Sequence, residues 1–206
     1  LRMERRTLKR AWNGEKMKDE LFTRGSLPMT KSEVRAVSLS KLELVPGADF
    51  WDVGAGTGSV SVEAARLLCQ AGGEGQIYAV EREPEGIRLI QENKEKLAAG
   101  FLGFHVIEGE APGCLNGLPS PSHVFIGGSG GRLKEILSVV FGKNRRARVV
   151  INAITPETLF QAMEASGELG AWEEEIIQVS VSRLEKRGKY HLQMGTNPVF
   201  VITLQG

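Results

Sequence analysis

The chain has 206 residues, 26 Lys and Arg against 25 Asp and Glu, 41% apolar residues, 25 Gly and two Cys, counts that suit one compact domain. A net charge of +1 gives no field that recruits nucleic acid or anionic lipid by itself, and no run approaches the roughly 18 apolar residues of a membrane helix. Cys69 and Cys114 have no CxxC spacing and no paired His, which argues against a disulfide framework or a zinc site and leads us to expect a reducing, cytoplasmic setting.

Residues 1–24 are rich in Arg and Lys with few apolar anchors and read as a basic, loosely attached arm ahead of a single domain over 25–206. Past Pro28, Thr30-Lys31-Ser32-Glu33 has the spacing in which a hydroxyl and a carboxylate satisfy free N–H groups at a helix start, predicting a helix over 31–42. Five short apolar runs follow, at 50–53, 77–80, 104–107, 124–126 and 149–151, each of a length that suits a buried strand. The amphipathic stretches between them, 59–70, 84–99, 131–141 and 156–166, read as helices, with Pro84 and Pro156 in first turns, where a missing N–H costs little. Such alternation makes an α/β, doubly wound parallel sheet with helices on both faces. Near the end, Ile177, Val179 and Val181 alternate with Gln178, Ser180 and Ser182, and a second run occupies 199–203, predicting a final antiparallel pair.

The strongest local signal is Asp52-Val53-Gly54-Ala55-Gly56-Thr57-Gly58-Ser59, at the first strand-to-helix junction. In such sheets the ligand crevice lies beyond the carboxyl ends of the strands, and glycines there let the backbone approach a ligand without Cβ interference. A P-loop needs Lys-Ser/Thr after its last glycine, whereas Ser59-Val60 follows Gly58, so a nucleoside triphosphate is disfavoured. A dinucleotide loop wants G-x-G-x-x-G/A; here the third glycine falls one place early, which weakens that reading and leaves it open. Asp52 would repel a pyrophosphate but can hold an ammonium directly or through water, and S-adenosylmethionine carries an ammonium and no phosphate. Glu81, closing the second strand, can accept both hydroxyls of a ribose. Glu110-Ala111, beyond the third strand, then marks the place of an adenine.

After the fourth strand, Gly127-Gly128-Ser129-Gly130-Gly131 precedes a helix; its N–H groups form a concavity for a substrate carboxylate or phosphate, or else a plain turn. The Asn/Asp-Pro-Pro-aromatic sequence that orients a nitrogen lone pair in many N-methyltransferases is absent there, so the acceptor is read as carbon. Asn152, just past the fifth strand, and Arg183, continuing the face of Ile177, Val179 and Val181, are candidate catalytic residues that read equally as a turn residue and a solvated edge charge. His105, His123 and His191 share no metal-like spacing, and no metal is expected; His191, beside Tyr190, is the candidate general acid or base. The basic cluster 143–148 lacks interleaved aromatics and reads as a solvated turn.

Gly25-Ser26-Leu27-Pro28-Met29-Thr30-Lys31-Ser32-Glu33-Val34-Arg35, the Asp52-to-Gly58 loop, Phe125-to-Gly131, and Val181-Ser182-Arg183 with Asn197-Pro198-Val199 stand in one order along the chain. On these segments the sequence resembles the cobalt-precorrin-6B C15-methyltransferase (decarboxylating) family, formerly called precorrin-8W decarboxylases. The resemblance implies a class I S-adenosylmethionine-dependent methyltransferase fold, Rossmann-like and seven-stranded with one antiparallel strand, and commonly a homotetramer. It implies cofactor contacts at Thr30, the loop Gly54, Ala55, Gly56, Thr57 and Gly58, Glu81 and Ala111, with S-adenosylhomocysteine as product. In the family, methylation at C15 of a reduced tetrapyrrole accompanies loss of carbon dioxide from the ring C acetate, in cobalamin biosynthesis. Lys31, Arg35, Arg183 and Gly127 to Gly131 are the expected seats for that substrate's peripheral carboxylates. The family usually has Asp after the proline preceding strand four, where this chain has Pro121-Ser122-His123, which leaves any role of that carboxylate in doubt. Some relatives carry a fused C5-methyltransferase domain; this chain has no room for one, so a separate protein is expected to supply that step. The alternatives are an NAD-dependent oxidoreductase and a non-catalytic corrinoid-binding relative.

Overall fold

Strand β1, Asp49–Val53, has Phe50, Trp51, Asp52 and Val53 all buried, so both of its faces are covered, as only a central strand allows. The computed structural model describes residues 17–73, 75–170 and 173–205. In chain order these form α1 (Ser32–Leu42), β1, α2 (Ser59–Ala71), β2 (Gln76–Glu81), α3 (Pro84–Leu97), β3 (Phe104–Glu108), β4 (His123–Ile126), α4 (Leu133–Lys143), β5 (Arg148–Ala153), α5 (Pro156–Leu169), β6 (Glu173–Val179), β7 (Ser182–Arg187), β8 (Tyr190–Gly195) and β9 (Val199–Gln205). Seven strands make one sheet in the order β3-β2-β1-β4-β5-β9-β6. β9 runs antiparallel to both neighbours, and β1 to β5 are mutually parallel.

Because alternate residues of a strand face opposite sides, the sheet feeds two apolar cores. Phe50, Ile77, Phe125 and Val150 pack with residues of α1 and α2 and with Ile90 of α3, whereas Trp51, Val53, Val124 and Ile151 pack with α4 and α5. β1 is followed by β2 on one side, and the chain returns to β4 on the other. That reversal opens a crevice at the carboxyl end of β1.

The five parallel strands and the four helices that follow β1, β2, β4 and β5 thus fall where the sequence places them, within a few residues. Three local expectations need correction. α1 starts at Ser32 with Lys31 in the capping position and no side-chain cap bond; Glu33 is drawn away from Thr30 to Arg183, which it meets through both carboxylate oxygens. β6 ends at Val179, so Arg183 lies instead on β7, in a separate two-stranded sheet with β8 whose residues are all exposed. The basic stretch is not loose over its described part: Met17, Asp19 and Phe22 are buried, with residues 1–16 outside the described residues.

Arg35 is what anchors that stretch. Its guanidinium is fully buried and donates to Glu63 Oε2 (2.5 Å), Asp19 Oδ1 (3.2 Å) and the carbonyls of Thr30 (2.7 Å) and Met17 (2.7 Å), with the Phe22 ring 4.8 Å from its carbon. Arg35→Met keeps much of the volume but leaves two buried carboxylates without their cation. It is expected to lower unfolding free energy by about 3–5 kcal/mol, measured in a denaturant titration. Adding Glu63→Gln and Asp19→Asn to it should recover part of the loss.

Candidate active site

A cleft of about 400 Å³ opens at the carboxyl ends of β1, β2 and β4, within the range of small-molecule sites. Its floor is a contact between two turns. Gly54 has φ +70°, and a Cβ placed on it would lie 2.5 Å from the carbonyl oxygen of Gly128. Backbone bonds hold that contact: Gly54 and Ala55 N–H both donate to Val80 O (3.0 Å each), and Gly127 N–H donates to Val53 O (2.9 Å). Two glycine turns on adjacent strands therefore press together with no side chain between them.

Glu81 ends β2 inside this cleft, buried, with its carboxylate held by backbone donors. Oε2 accepts from Gly56 N–H (2.8 Å), and Oε1 accepts from Arg82 N–H (2.8 Å) and Glu83 N–H (3.0 Å). Its position is fixed and its oxygens face the glycine loop. Arg82 reaches over the rim at the surface, pairing with Glu83 (3.2 Å) and Glu110 (3.1 Å). Among the lining residues, three carboxylates, Glu81, Glu83 and Glu110, thus face one guanidinium. That balance favours a cationic ligand and opposes a diphosphate.

Asp52 stands behind the loop and outside the cleft lining. It is fully buried; Oδ2 accepts from Ser61 N–H (3.0 Å) and Oγ–H (2.5 Å), while Oδ1 has no partner. Burial pushes its carboxyl up to about 7, against the pull of the two Ser61 bonds and with a further push from the Glu81 charge. A half-satisfied buried acceptor is costly unless something donates to it.

Of the cofactor candidates, Gly54, Gly56, Glu81, Glu110 and Ala111 line the cleft, and so do Gly127, Gly128, Ser129 and Gly130 of the substrate candidates. Ala55, Thr57 and Gly58 belong to the same loop without lining it; Thr57 is buried with its hydroxyl unpartnered, and Gly58 caps α2 at φ +73°. Thr30 offers its carbonyl to Arg35. Lys31 is exposed at the start of α1, and Gly131 lies just past the lining. α4 begins two residues after Gly131, and the Gly127 and Gly128 N–H groups already point at Val53 O, so that part of the expected anion cradle is occupied by the fold.

Four expectations give way to other roles. Arg35 has every side of its guanidinium engaged inside the protein and presents nothing to a substrate. Asn152 lies within β5 and not past it, and its Oδ1 accepts from Ser38 Oγ (2.9 Å). Arg183 is occupied by Glu33 at 2.7 and 2.8 Å. His191 is exposed on β8 opposite Lys186, and neither it, Arg183 nor Asn152 lines the cleft. The departure at Ser122 falls at the amino end of β4, where its hydroxyl accepts from Asp49 N–H (3.0 Å), at the other end of the sheet from the cleft. Sequence reasoning overlooked Leu27, Pro28, Arg82 and Glu83 in the lining. Pro28 sat in a segment already singled out, and Arg82 directly follows Glu81.

A sequence profile described as the precorrin methyltransferase domain matches residues 20–205. A probable cobalt-precorrin-6B C(15)-methyltransferase (decarboxylating) of Pyrobaculum calidifontis is 41% identical, covering 90% of this chain and 93% of that protein. The Salmonella typhimurium cobalt-precorrin-6B C(15)-methyltransferase (decarboxylating) is 41% identical, covering 92% and 95%. Among solved structures, a precorrin-6y C5,15-methyltransferase of Geobacter metallireducens superposes with a TM-score of 0.84 at 38% identity, covering 92% of this chain and 97% of that one. The precorrin 8W decarboxylase of Methanobacterium thermoautotrophicum gives 0.82 at 31% identity, covering 92% and 100%.

The contact between the turns makes a clean substitution test. Gly47 also has positive φ (+80°), but a Cβ there meets nothing within 4 Å. Gly47→Ala should cost about 1 kcal/mol from backbone strain alone. Gly54→Ala adds a backbone collision and should cost at least about twice as much, read as the difference between the two unfolding midpoints.

Proposed function

The chain belongs to the precorrin methyltransferase family, and from that premise we propose that it is an S-adenosylmethionine-dependent enzyme that methylates C15 of a cobalt-precorrin and removes carbon dioxide from its ring C acetate. This is a step of cobalamin biosynthesis. The observation that carries the reading is Glu81 at the tip of β2, inside a cleft floored by the glycine loop and lined by an excess of carboxylates, with the buried Asp52 carboxyl behind that loop. An NAD-dependent oxidoreductase is not favoured, because a pyrophosphate would meet those charges.

The residues fit the cofactor on two counts. Gly54 and Gly128 press together so that the cleft floor is bare backbone, and Glu81, Glu83 and Glu110 give the lining an excess of negative charge that suits an ammonium and a sulfonium. Glu81 would take the ribose hydroxyls, and Glu110-Ala111 would flank the adenine. S-adenosylmethionine, when bound, supplies a methyl group made electrophilic by its sulfonium. The chain's contribution is orientation: Val53, Val80 and Leu27 give the cleft apolar walls that limit water, and the glycine turns hold the backbone still. The open rim at Gly128 to Gly130, with Lys31 at the start of α1, is the side we assign to the tetrapyrrole and its peripheral carboxylates. The family reading extends to a homotetramer in the cytoplasm and a separate protein for C5 methylation. Among the described residues no helix is long and apolar enough to cross a membrane.

Incubation with S-adenosylmethionine and authentic cobalt-precorrin-6B should give a product heavier by one methylene and lighter by one carbon dioxide in mass spectrometry. An unchanged tetrapyrrole at saturating cofactor would leave the protein a corrinoid carrier. Asp52 also predicts a pH dependence. A cation bound on the cleft side of the loop favours the ionised carboxylate through space, so binding expels a proton wherever free Asp52 is protonated. Affinity for S-adenosylhomocysteine should therefore rise with pH from about 6 and level off above about 8, and Asp52→Asn should flatten the profile.

A further inference from the structure

α3 carries a fully buried polar residue, Asn93. Gly86, Ile90 and Asn93 are spaced four and three apart and share the inner face of the helix. The first two make room for the site. A Cβ on Gly86 would come within 2.6 Å of Glu81 Cγ, and Ile90 packs under Gly58, 3.1 Å from where its Cβ would be. Asn93 occupies the third place on that line, where packing alone calls for an apolar side chain, and it is completely buried.

Its amide is fully used. Oδ1 accepts from Thr23 N–H (2.7 Å), and Nδ2 donates to Thr23 O (3.0 Å) and Thr57 O (2.9 Å). Two carbonyls on one side and an N–H on the other fix the orientation of the amide. Thr57 lies between Gly56, whose N–H meets Glu81, and Gly58, which starts α2. Thr23 begins the segment that brings Leu27 and Pro28 to the cleft wall, and Pro28 O would lie 3.1 Å from a Cβ on Gly56. Farther along, Ser26 N–H and Oγ–H both meet the Glu85 carboxylate, again on α3. One amide thus joins the glycine loop to the wall that faces it.

We propose that Asn93 is a positioning residue for cofactor binding, coupling the conformation of the Thr57-Gly58 peptide to the docking of the segment from Thr23 to Pro28. The inference rests on the reading that S-adenosylmethionine occupies this cleft. Glycine peptides rotate readily; Asn93 takes the carbonyl of the Thr57-Gly58 peptide while Ala55 O takes its N–H (2.8 Å), and together they hold that peptide in one orientation. Cofactor binding, in turn, tightens the wall segment, since coupling between two sites is reciprocal.

The test is calorimetric titration of the wild-type protein, Asn93→Ala and Asn93→Asp with S-adenosylhomocysteine. The aspartate keeps the shape and the acceptor for Thr23 but sets an oxygen against two carbonyls. Both variants should bind about tenfold or more weakly with the same number of sites, as loss of one or two net hydrogen bonds predicts. The KM for S-adenosylmethionine should rise in step while kcat at saturation is kept. A residue that only supported the fold would instead lower the number of competent sites and kcat, leaving affinity and KM unchanged, and that result overturns the proposal. Should neither variant fold, hydrogen exchange on the wild-type protein decides. The Thr23 amide should gain protection on saturation with S-adenosylhomocysteine, and an unchanged exchange rate there refutes the coupling. No binding by the wild-type protein would overturn the functional reading itself, and this inference with it.

Discussion

Everything at the site depends on the backbone contact between the turn after β1 and the turn after β4. Gly54 approaches Gly128 so closely that a methyl group on Gly54 would collide with the Gly128 backbone, and each turn spends its amides on the neighbouring strand: Gly54 on Val80, Gly127 on Val53. These bonds continue the parallel ladder past the last regular residue of each strand. At each turn two successive amides converge on one carbonyl of the neighbouring strand, Gly54 and Ala55 on Val80 and Gly127 and Gly128 on Val53, and leave a bare backbone surface. Glu81 can then be held by Gly56, Arg82 and Glu83 N–H groups without any side chain competing for its place. The cleft is in this sense a product of strand register, with the carboxylates added at its edge.

Two buried charges show how differently the fold treats structure and chemistry. Arg35 is surrounded by two carboxylates and two carbonyls, and its burial is compensated on all sides. Such a group fixes which segments pack together more than it adds net stability. Asp52 is equally inaccessible yet only half satisfied, and its carboxyl titrates near neutrality as a result. Leaving one oxygen unmet costs folding free energy, a cost with no structural return. Perturbed carboxyls of this kind gather at functional sites, and this one stands directly behind the glycine loop.

The central layers were readable because burial imposes period on sequence. The short apolar runs at 50–53, 77–80 and 149–151 sit in strands covered on both faces, and the proline-led helices start where a missing N–H does no harm. Glu81 was readable for the same reason, since a carboxylate closing a buried run has one place to go. β7 and β8 leave no such trace. All their residues are exposed, so the alternation carries no hydrophobic signal and Arg183 was assigned to the wrong strand. Arg35 was misread because its partners are 16 and 28 positions away in sequence, and nothing local marks Asp19 or Glu63 as buried. The Thr30 capping pattern failed to a competing ion pair 150 positions distant. Local rules predict what local groups do until a remote charge makes a better offer.

α3 resolves what the sheet alone leaves undetermined. Strand register fixes the positions of β1, β2 and β4 to a fraction of a hydrogen bond, but the loop from Gly54 to Gly58 has positive φ at three glycines and few side chains to restrain it. Packing from one side is what selects its conformation. Gly86 lets the helix come against Glu81, Ile90 fills the space beneath Gly58, and Asn93 takes the carbonyl between them. A smaller side chain at position 90 or a larger one at position 86 would shift the helix axis and with it all three contacts together. The loop is therefore shaped by a rigid neighbour as well as by its own bond from Gly58 N–H to Ala55 O. That explains how a segment composed largely of glycine, the residue with the most conformational freedom to lose, can keep a single conformation.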